Sequence, residues 1–306
     1  MLDEPALTNK IPLRSLATSE AILATAIWAS SFVFVKIALP YMGPFTIAAL
    51  RYFLAFLLLL PFMIRNRKTA RSISSYLWIR LFIIGISAYA IGNGALFWGL
   101  KYLPATTTSF LMSISPLLVL FVGAIWLKEI PTRWQIAGVI IAFLGSILFF
   151  LPGLHPGEPL GIAIVAIGMI GFTVFGILGR EIARDKQIDT LSLTAIPLGF
   201  GGGILIFIAL LWEGIPNFSL IAWGIVLWLA IVNTAIGYAL YNHSLQILTA
   251  LEMNVILNLA PLGTAVLAWF ILGETLASIQ IVGMITVIIG VILVQQAGIP
   301  QRQREA

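Results

Sequence analysis

Apolar runs long enough to cross a lipid bilayer follow one another almost without interruption along this chain. A membrane-spanning helix needs about 20 predominantly apolar residues. Ten such runs are read at roughly 20–38, 45–64, 76–100, 104–127, 133–151, 160–179, 190–211, 220–246, 248–272 and 277–295. Proline punctuates the short connections, at Pro40–Pro44, Pro104, Pro131, Pro152–Pro159 and Pro216, where helices end. Only 9% of residues are charged and the mean hydropathy is +1.05. Soluble domains carry about 25% charge, so lipid must cover much of this surface. The expected fold class is an all-α membrane protein of ten transmembrane helices. The expected segments are an N-terminal piece 1–19, a first five-helix unit 20–151, a linker 152–159, a second five-helix unit 160–295 and a polar tail 296–306.

The net charge of +5 does not point to nucleic acid, because basic residues gather in the cytoplasmic loops of membrane proteins. With the N-terminus inside, one side holds Lys10, Arg14, Arg65, Arg67, Lys68, Arg71, Arg80, Lys128, Arg133, Arg180, Arg184, Lys186, Arg302 and Arg304. The other side holds Lys36 and Lys101, and Arg51 lies within the second run. That bias places both termini in the cytoplasm and agrees with an even number of spans. The leader carries Asp3, Glu4 and Glu20 beside its basic residues, which argues against a cleaved signal peptide. The chain has no cysteine, and its two histidines, His155 and His243, lack metal-ligand spacing. Thiol chemistry is excluded, and no cofactor or metal site is expected.

The chain also repeats itself. Residues 115–148 (SPLLVLFVGAIWLKEIPTRWQIAGVIIAFLGSIL) align without gaps to residues 260–293 (APLGTAVLAWFILGETLASIQIVGMITVIIGVIL) at an offset of 145. The identities include Pro116/Pro261, Glu129/Glu274, Gln135/Gln280, Gly138/Gly283 and Gly145/Gly290, which biased apolar composition would not bring into register. Five spans per unit is an odd number, so the second unit must be inverted. Inverted repeats are a transporter architecture, with the solute site between the repeats near the bilayer midplane.

The same offset relates polar residues inside the runs. Helix 4 carries Ser109 and Ser113, whose counterparts in helix 9 are Asn254 and Asn258; each pair leads to the shared proline on one helical face. Helix 3 carries Tyr89, Asn93 and Phe97, and helix 8 carries Thr234, Tyr238 and Asn242. An unpartnered amide facing lipid costs several kcal/mol, so these faces must turn inward. They serve either as interhelical hydrogen-bonding glue or as the wall of a cavity. Helix 1 adds Trp28, Ser30 and Ser31, with Phe172 and Thr173 as rough counterparts in helix 6. In a cavity, Asn93, Tyr238, Asn254 and Asn258 would orient polar groups of a solute, while Trp28, Tyr89 and Phe97 would supply apolar walls.

Charges within or beside the spans are functional suspects. Arg51 either snorkels to headgroups, pairs structurally or contacts solute. Inverted symmetry places Lys36 with Glu274 on one side and Arg180 with Glu129 on the other, as gate or scaffold ion pairs. Glu252 suits the N-terminus of helix 9 through the helix dipole, with proton coupling as the sharper alternative. No carboxylate falls clearly at the midplane. His243 is read as a helix-end packing residue. The small residues Gly138, Ala142 and Gly145 in helix 5, with Gly283 and Gly290 in helix 10, allow close helix approach.

These motifs resemble a known family. WASSFVFVKIAL in helix 1, P-x-x-x-x-x-LR in helix 2, and SPLLVLFVGAIWLKE and APLGTAVLAWFILGE, each followed by Q-x-x-G, look like the EamA family of the drug/metabolite transporter superfamily. The resemblance covers nearly the whole chain as two tandem domains. It implies ten spans in an inverted repeat, a central cavity between the halves, residence in the cytoplasmic membrane of a bacterium or archaeon, and export of small metabolites such as amino acids. It does not supply a substrate. A membrane enzyme is disfavoured, since no Ser/His/Asp cluster, H-E-x-x-H or paired midplane carboxylates occur. No G-x-x-x-x-G-K-[ST] loop is present to use ATP. A channel or a receptor remains as a competing class. The expectation is a secondary carrier exporting an amino acid or derivative, with import or efflux of a cationic drug as the alternative. Its partners are the bilayer and a small solute, with a homodimer as the one protein assembly considered.

Overall fold

The computed structural model describes residues 10–65, 73–99, 102–103, 105–153, 158–216, 219–272 and 275–298. All regular structure among them is helical. The rods are α1 (Lys10–Ala38), α2 (Pro44–Arg65), α3 (Ser75–Gly85, a π segment Ile86–Asn93, then Gly94–Gly99) and α4 (Ala105–Met112, Ser115–Val122, then a π segment Gly123–Leu127). They continue with α5 (Arg133–Phe150), α6 (Pro159–Arg184), α7 (Thr190–Trp212) and α8 (Leu220–Trp228, a π segment Leu229–Ile236, then Gly237–Ser244). The last two are α9 (Ala250–Leu257 and Leu259–Leu272) and α10 (Ser278–Ala297). Among the described residues nine helices, α2 to α10, are long and apolar enough to cross a membrane. The first rod begins at Lys10, well before its expected start at 20. The polar residues Thr18, Ser19 and Glu20 do not interrupt it. Ala17, Ala21 and Ala24 are buried at helical spacing, and this small stripe carries the helix through its polar first turns.

Hydrocarbon offers no hydrogen bonds, so the chain must satisfy its own helix ends. Side-chain caps do this at Ser74, Thr132, Asp189, Ser219 and Thr249. The repeated glutamines have the same task in both halves. Gln135 Oε1 accepts from Thr132 N at 2.9 Å, and Gln280 Oε1 accepts from Ala277 N at 2.9 Å.

The two most extensive helix contacts across the halves each join a helix to its own counterpart. α5 packs along α10, and α2 along α7, more extensively than any other pairs. Between α5 and α10 the backbones nearly touch. A Cβ on Gly145 would lie 2.5 Å from Val287 N, and one on Gly290 would lie 2.5 Å from Ala142 N. Real side chains cannot occupy that space, so the glycine stripes are what permit the crossing. The remaining helices α1, α3, α4, α6, α8 and α9 enclose the centre of the molecule.

Both halves break a helix at the same place. α4 is interrupted at Ser113–Ile114 and α9 at Asn258, which are positions 145 apart. Pro116 and Pro261 follow each break, lacking the N–H that would continue the ladder. In α4, Leu117 N turns back to Ile114 O at 2.9 Å, which leaves Ser113 O outside the helix ladder.

Candidate functional site

A cavity of about 370 Å³ lies at these two breaks. Its walls come from both halves. Trp28 of α1, Asn93 and Leu96 of α3, and Thr108, Ser109, Met112, Ser113 and Ser115 of α4 supply one half. Phe172 and Phe175 of α6, Tyr238 and Tyr241 of α8, and Asn254, Leu257, Asn258, Ala260 and Pro261 of α9 supply the other. No Asp, Glu, Lys, Arg or His is among these residues.

The broken helices are joined across the halves. Asn258 Nδ2 donates to Ser113 O at 3.2 Å, capping the carbonyl that the α4 break releases. The other two cavity asparagines also donate to backbone carbonyls: Asn93 Nδ2 to Ala88 O at 2.8 Å, and Asn254 Nδ2 to Ala250 O at 3.2 Å. Ser113 Oγ donates to Phe110 O at 2.7 Å. The Ser115 hydroxyl is buried without a hydrogen-bond partner among the described residues.

Aromatic rings form the wall toward helices α1 and α8. Trp28 lies 4.9 Å from Tyr238 and 5.6 Å from Tyr241, and Phe175 stacks on Tyr241 at 5.2 Å. Trp28 Nε1 donates to Asn233 O at 2.8 Å, while Asn233 Nδ2 donates to Ile27 O at 2.5 Å and to Ser30 Oγ at 3.2 Å. The Asn233 carbonyl is available to the indole because it sits in a π segment, whose altered ladder reorients backbone groups. Thus Trp28 is both a cavity wall and a hydrogen-bonded strut.

Several sequence-selected residues lie behind this wall. Tyr89 is buried against Tyr52 at 4.6 Å and Tyr238 at 5.4 Å. Ser31 and Thr234 accept from Arg51, whose Nη1 and Nε lie 2.8 Å and 3.1 Å away. Arg51 is buried, sits 5.1 Å from the centroid of the Tyr52 ring, and has no carboxylate partner among the described residues. Asn242 donates to Thr194 Oγ1 of α7 at 3.0 Å. Ser31, Tyr89, Thr234 and Asn242 are not among the residues that line this cavity. For Tyr89 and Thr234, the π segments of α3 and α8 break the 3.6-residue period on which their i, i+4 alignment with Asn93 and Tyr238 depends. Ser31 and Asn242 lie in regular α-helix and hydrogen-bond Arg51 and Thr194 instead. The side chains of Phe97 and Lys36, and the whole of Glu274, lie outside the described residues, and with them the Lys36–Glu274 pairing.

Ion pairs cluster at one end of the helices. Arg180 Nε lies 2.7 Å from Glu129, whose other oxygen accepts from Ala250 N at 3.1 Å, and Arg180 Nη1 donates to Leu245 O at 2.5 Å. Arg14 pairs with the buried Glu252 at 2.5 Å, Arg80 pairs with Glu181, and His243 Nδ1 meets Glu20 at 2.7 Å. All four contacts connect a residue before 151 to a residue after 159. Glu252 is also the return arm of a capping box, accepting from Thr249 N at 2.9 Å. At the opposite face Glu213 caps α2, accepting from Phe45 N, Thr46 N and Thr46 Oγ1 at 2.9, 2.8 and 2.7 Å.

Sequence reasoning did not select Thr108, Ser115, Phe175, Tyr241 or Asn233. Asn233 had a visible signal, an amide within the apolar run LWLAIVNTAIGYAL. Ser115 adjoins the repeated proline. Phe175 and Tyr241 had none, since aromatic residues in apolar runs are ordinary packing. Among the described residues no cluster of three or more His, Cys, Asp or Glu could hold a metal ion.

Comparison with known proteins bears on this geometry. The model of the EamA-like transporter family matches residues 17–151 and again 159–295. The chain is 28% identical over 274 residues to the uncharacterized transporter YyaM of Bacillus subtilis (strain 168), covering 86% of this chain and 88% of that protein. It is 28% identical over 278 residues to an uncharacterized transporter of Archaeoglobus fulgidus, covering 89% and 94%. Protein PecM of Dickeya dadantii (strain 3937) is 22% identical over 286 residues, covering 93% and 94%. A crystal structure superposes with a TM-score of 0.74 over 92% of this chain and 97% of that one; at 17% identity it shows the fold alone.

Proposed function

The chain belongs to the EamA-like transporter family, and from that premise we propose that it is a secondary carrier exporting a small amphiphilic metabolite, an amino acid or a derivative, by alternating access. It is a multi-pass membrane protein, and in this proposal α1 is the tenth span of a 5+5 inverted repeat. The cytoplasmic membrane of a prokaryote is its location, with both termini and the ion-paired face in the cytoplasm. The observation that carries the reading is the central cavity assembled from both halves at their two broken helices. Broken helices at a repeat interface are where secondary carriers hold solute.

The four ion pairs between the halves support a gate at the basic face. Their separation would open the cavity to the cytoplasm while the aromatic wall and the Arg51 network close the other side. Solute would contact Trp28, Asn93, Ser109, Ser113, Tyr238, Asn254 and Asn258. Ser31, Tyr89, Thr234 and Asn242 would instead support that wall from behind. The test is counterflow of a metabolite panel in proteoliposomes, with and without a proton gradient. Saturable exchange that loaded solute accelerates is expected. Flux at channel rates, or none with any solute, would overturn the carrier reading.

A further inference from the structure

Arg51 is a full charge buried within a membrane span, and its partners do not neutralise it. It is 9% exposed. Nε donates to Thr234 Oγ1 at 3.1 Å and Nη1 to Ser31 Oγ at 2.8 Å, and both acceptors are neutral hydroxyls. The Tyr52 ring adds a π face 5.1 Å from the guanidinium carbon. No carboxylate lies within ion-pair distance among the described residues. Glu213 meets the same helix, but it is held at the first turn of α2 by Phe45 N, Thr46 N and Thr46 Oγ1. Arginine keeps its proton at any ordinary pH. A buried charge left without a counter-charge is costly, and a neutral side chain would pack there at less cost.

Its position gives the charge a use. Ser31 stands three residues beyond Trp28 on α1, and Thr234 stands four residues before Tyr238 on α8; Trp28 and Tyr238 both line the cavity. Rings lie between Arg51 and that cavity. Tyr52 meets Tyr89 at 4.6 Å, Tyr89 meets Tyr238 at 5.4 Å, and all three are buried. A layer of buried rings screens a charge poorly, so the field of Arg51 reaches the cavity. No lining residue opposes it, since none is Asp, Glu, Lys, Arg or His. At each break a helix C-terminus faces the N-terminus of the next segment, so their dipoles offset one another.

We propose that Arg51 is a specificity-determining residue, a fixed positive charge behind the aromatic wall that bars cationic solutes from the cavity and admits neutral, zwitterionic and anionic ones. This rests on the carrier reading above and bears on which solutes it takes. A unit charge about 10 Å away across an effective dielectric of about 20 disfavours a monovalent cation by about tenfold and favours an anion as much.

The charge of the cavity can be read without knowing the solute. The chain has no cysteine, so Ala260→Cys places a single thiol in the lining. In the purified full-length protein in detergent, that thiol is reacted with the cationic trimethylammonioethyl methanethiosulfonate and with its anionic sulfonatoethyl counterpart. Dividing the cationic by the anionic rate cancels the thiol's own reactivity, and a free thiol in solution gives the reference ratio. With Arg51 in place the ratio should be at least about tenfold below the reference. Arg51→Gln should bring it several-fold back toward the reference, whereas Arg51→Lys, which keeps the charge, should hold it low. A ratio equal to the reference with Arg51 in place would overturn the proposal, and that measurement needs no substitution at Arg51 that could unfold the protein. So would a ratio that stays low in folded Arg51→Gln. So would a ratio raised alike by Arg51→Lys and Arg51→Gln, since packing rather than charge would then set it. None of these readings depends on transport. Absence of saturable exchange with any solute would overturn the carrier reading and leave the charge of the cavity as measured.

Discussion

At the scale of single residues, similar side chains at repeat-related positions have different tasks. Asn254 and Asn258 occupy one face, and replacing either by Leu removes a polar group from the cavity lining. Both variants should abolish flux. Their stabilities should differ, because the Asn254 partner, Ala250 O, lies within a helical turn, whereas Ser113 O has left its ladder. Asn258→Leu should destabilise by about 1–3 kcal/mol, the cost of an orphaned buried carbonyl, while Asn254→Leu stays near wild type. Thermal unfolding in detergent compares them, and equal losses would refute the bridging role of Asn258. Arg180 and Glu129 offer a second case. Arg180→Leu strands a mostly buried carboxylate and should cost about 3–5 kcal/mol, with Arg180→Leu/Glu129→Leu together less harmful than Arg180→Leu alone. Strict additivity in that cycle would show that the contact carries no coupling. The sequence could nominate Asn254 and Asn258, since amides in apolar runs must find partners. It could not say which end of each amide faces inward, because that depends on carbonyls brought near by folding.

At the scale of elements, interruptions matter as much as helices. The apolar runs 104–127 and 248–272 read as continuous, yet α4 and α9 break just before their repeated prolines, whereas Pro61 and Pro197 leave α2 and α7 unbroken. The π segments of α3 and α8 had no such mark. They change the period within and just beyond themselves, so Tyr89 and Thr234 lie behind the wall while Asn93 and Tyr238 line the cavity. The glycine stripes were legible, and their packing yields a sharp contrast. Gly290→Ala places a methyl 2.5 Å from Ala142 N, so loss of monodisperse folded protein is expected on size exclusion. Gly203 in α7 has open space where its Cβ would stand. Gly203→Ala should therefore be tolerated and stabilise by about 0.5–1 kcal/mol. Equal behaviour of the two variants would contradict the close α5–α10 crossing.

At the scale of the whole molecule, ion pairs gather at one face and the cavity sits between two halves. If those pairs close the cytoplasmic side, Glu129→Gln combined with Glu181→Gln should raise cytoplasmic access to the cavity. The chain has no cysteine, so a single Ala260→Cys in the cavity lining can report this with a membrane-impermeant maleimide in inside-out vesicles. Several-fold faster labelling is expected, and an unchanged rate would remove the pairs from gating. A tag at either terminus should be reached from the cytoplasmic side alone; external access to one would overturn the topology. Much of this scale followed from sequence alone. Apolar run length selects helices in lipid, because an unsatisfied backbone cannot remain there. The repeat at an offset of 145 paired α5 with α10 by kind, and the charge bias supplies the proposed cytoplasmic face. These are periodic or compositional properties, which survive in one dimension. Only the tertiary structure joined the Asn258 amide to Ser113 across the halves, set an aromatic layer between Arg51 and the cavity, and tied three cavity amides to backbone carbonyls. Those outcomes depend on which donors and acceptors meet once helices bend and pack, and a linear order of residues does not specify that geometry.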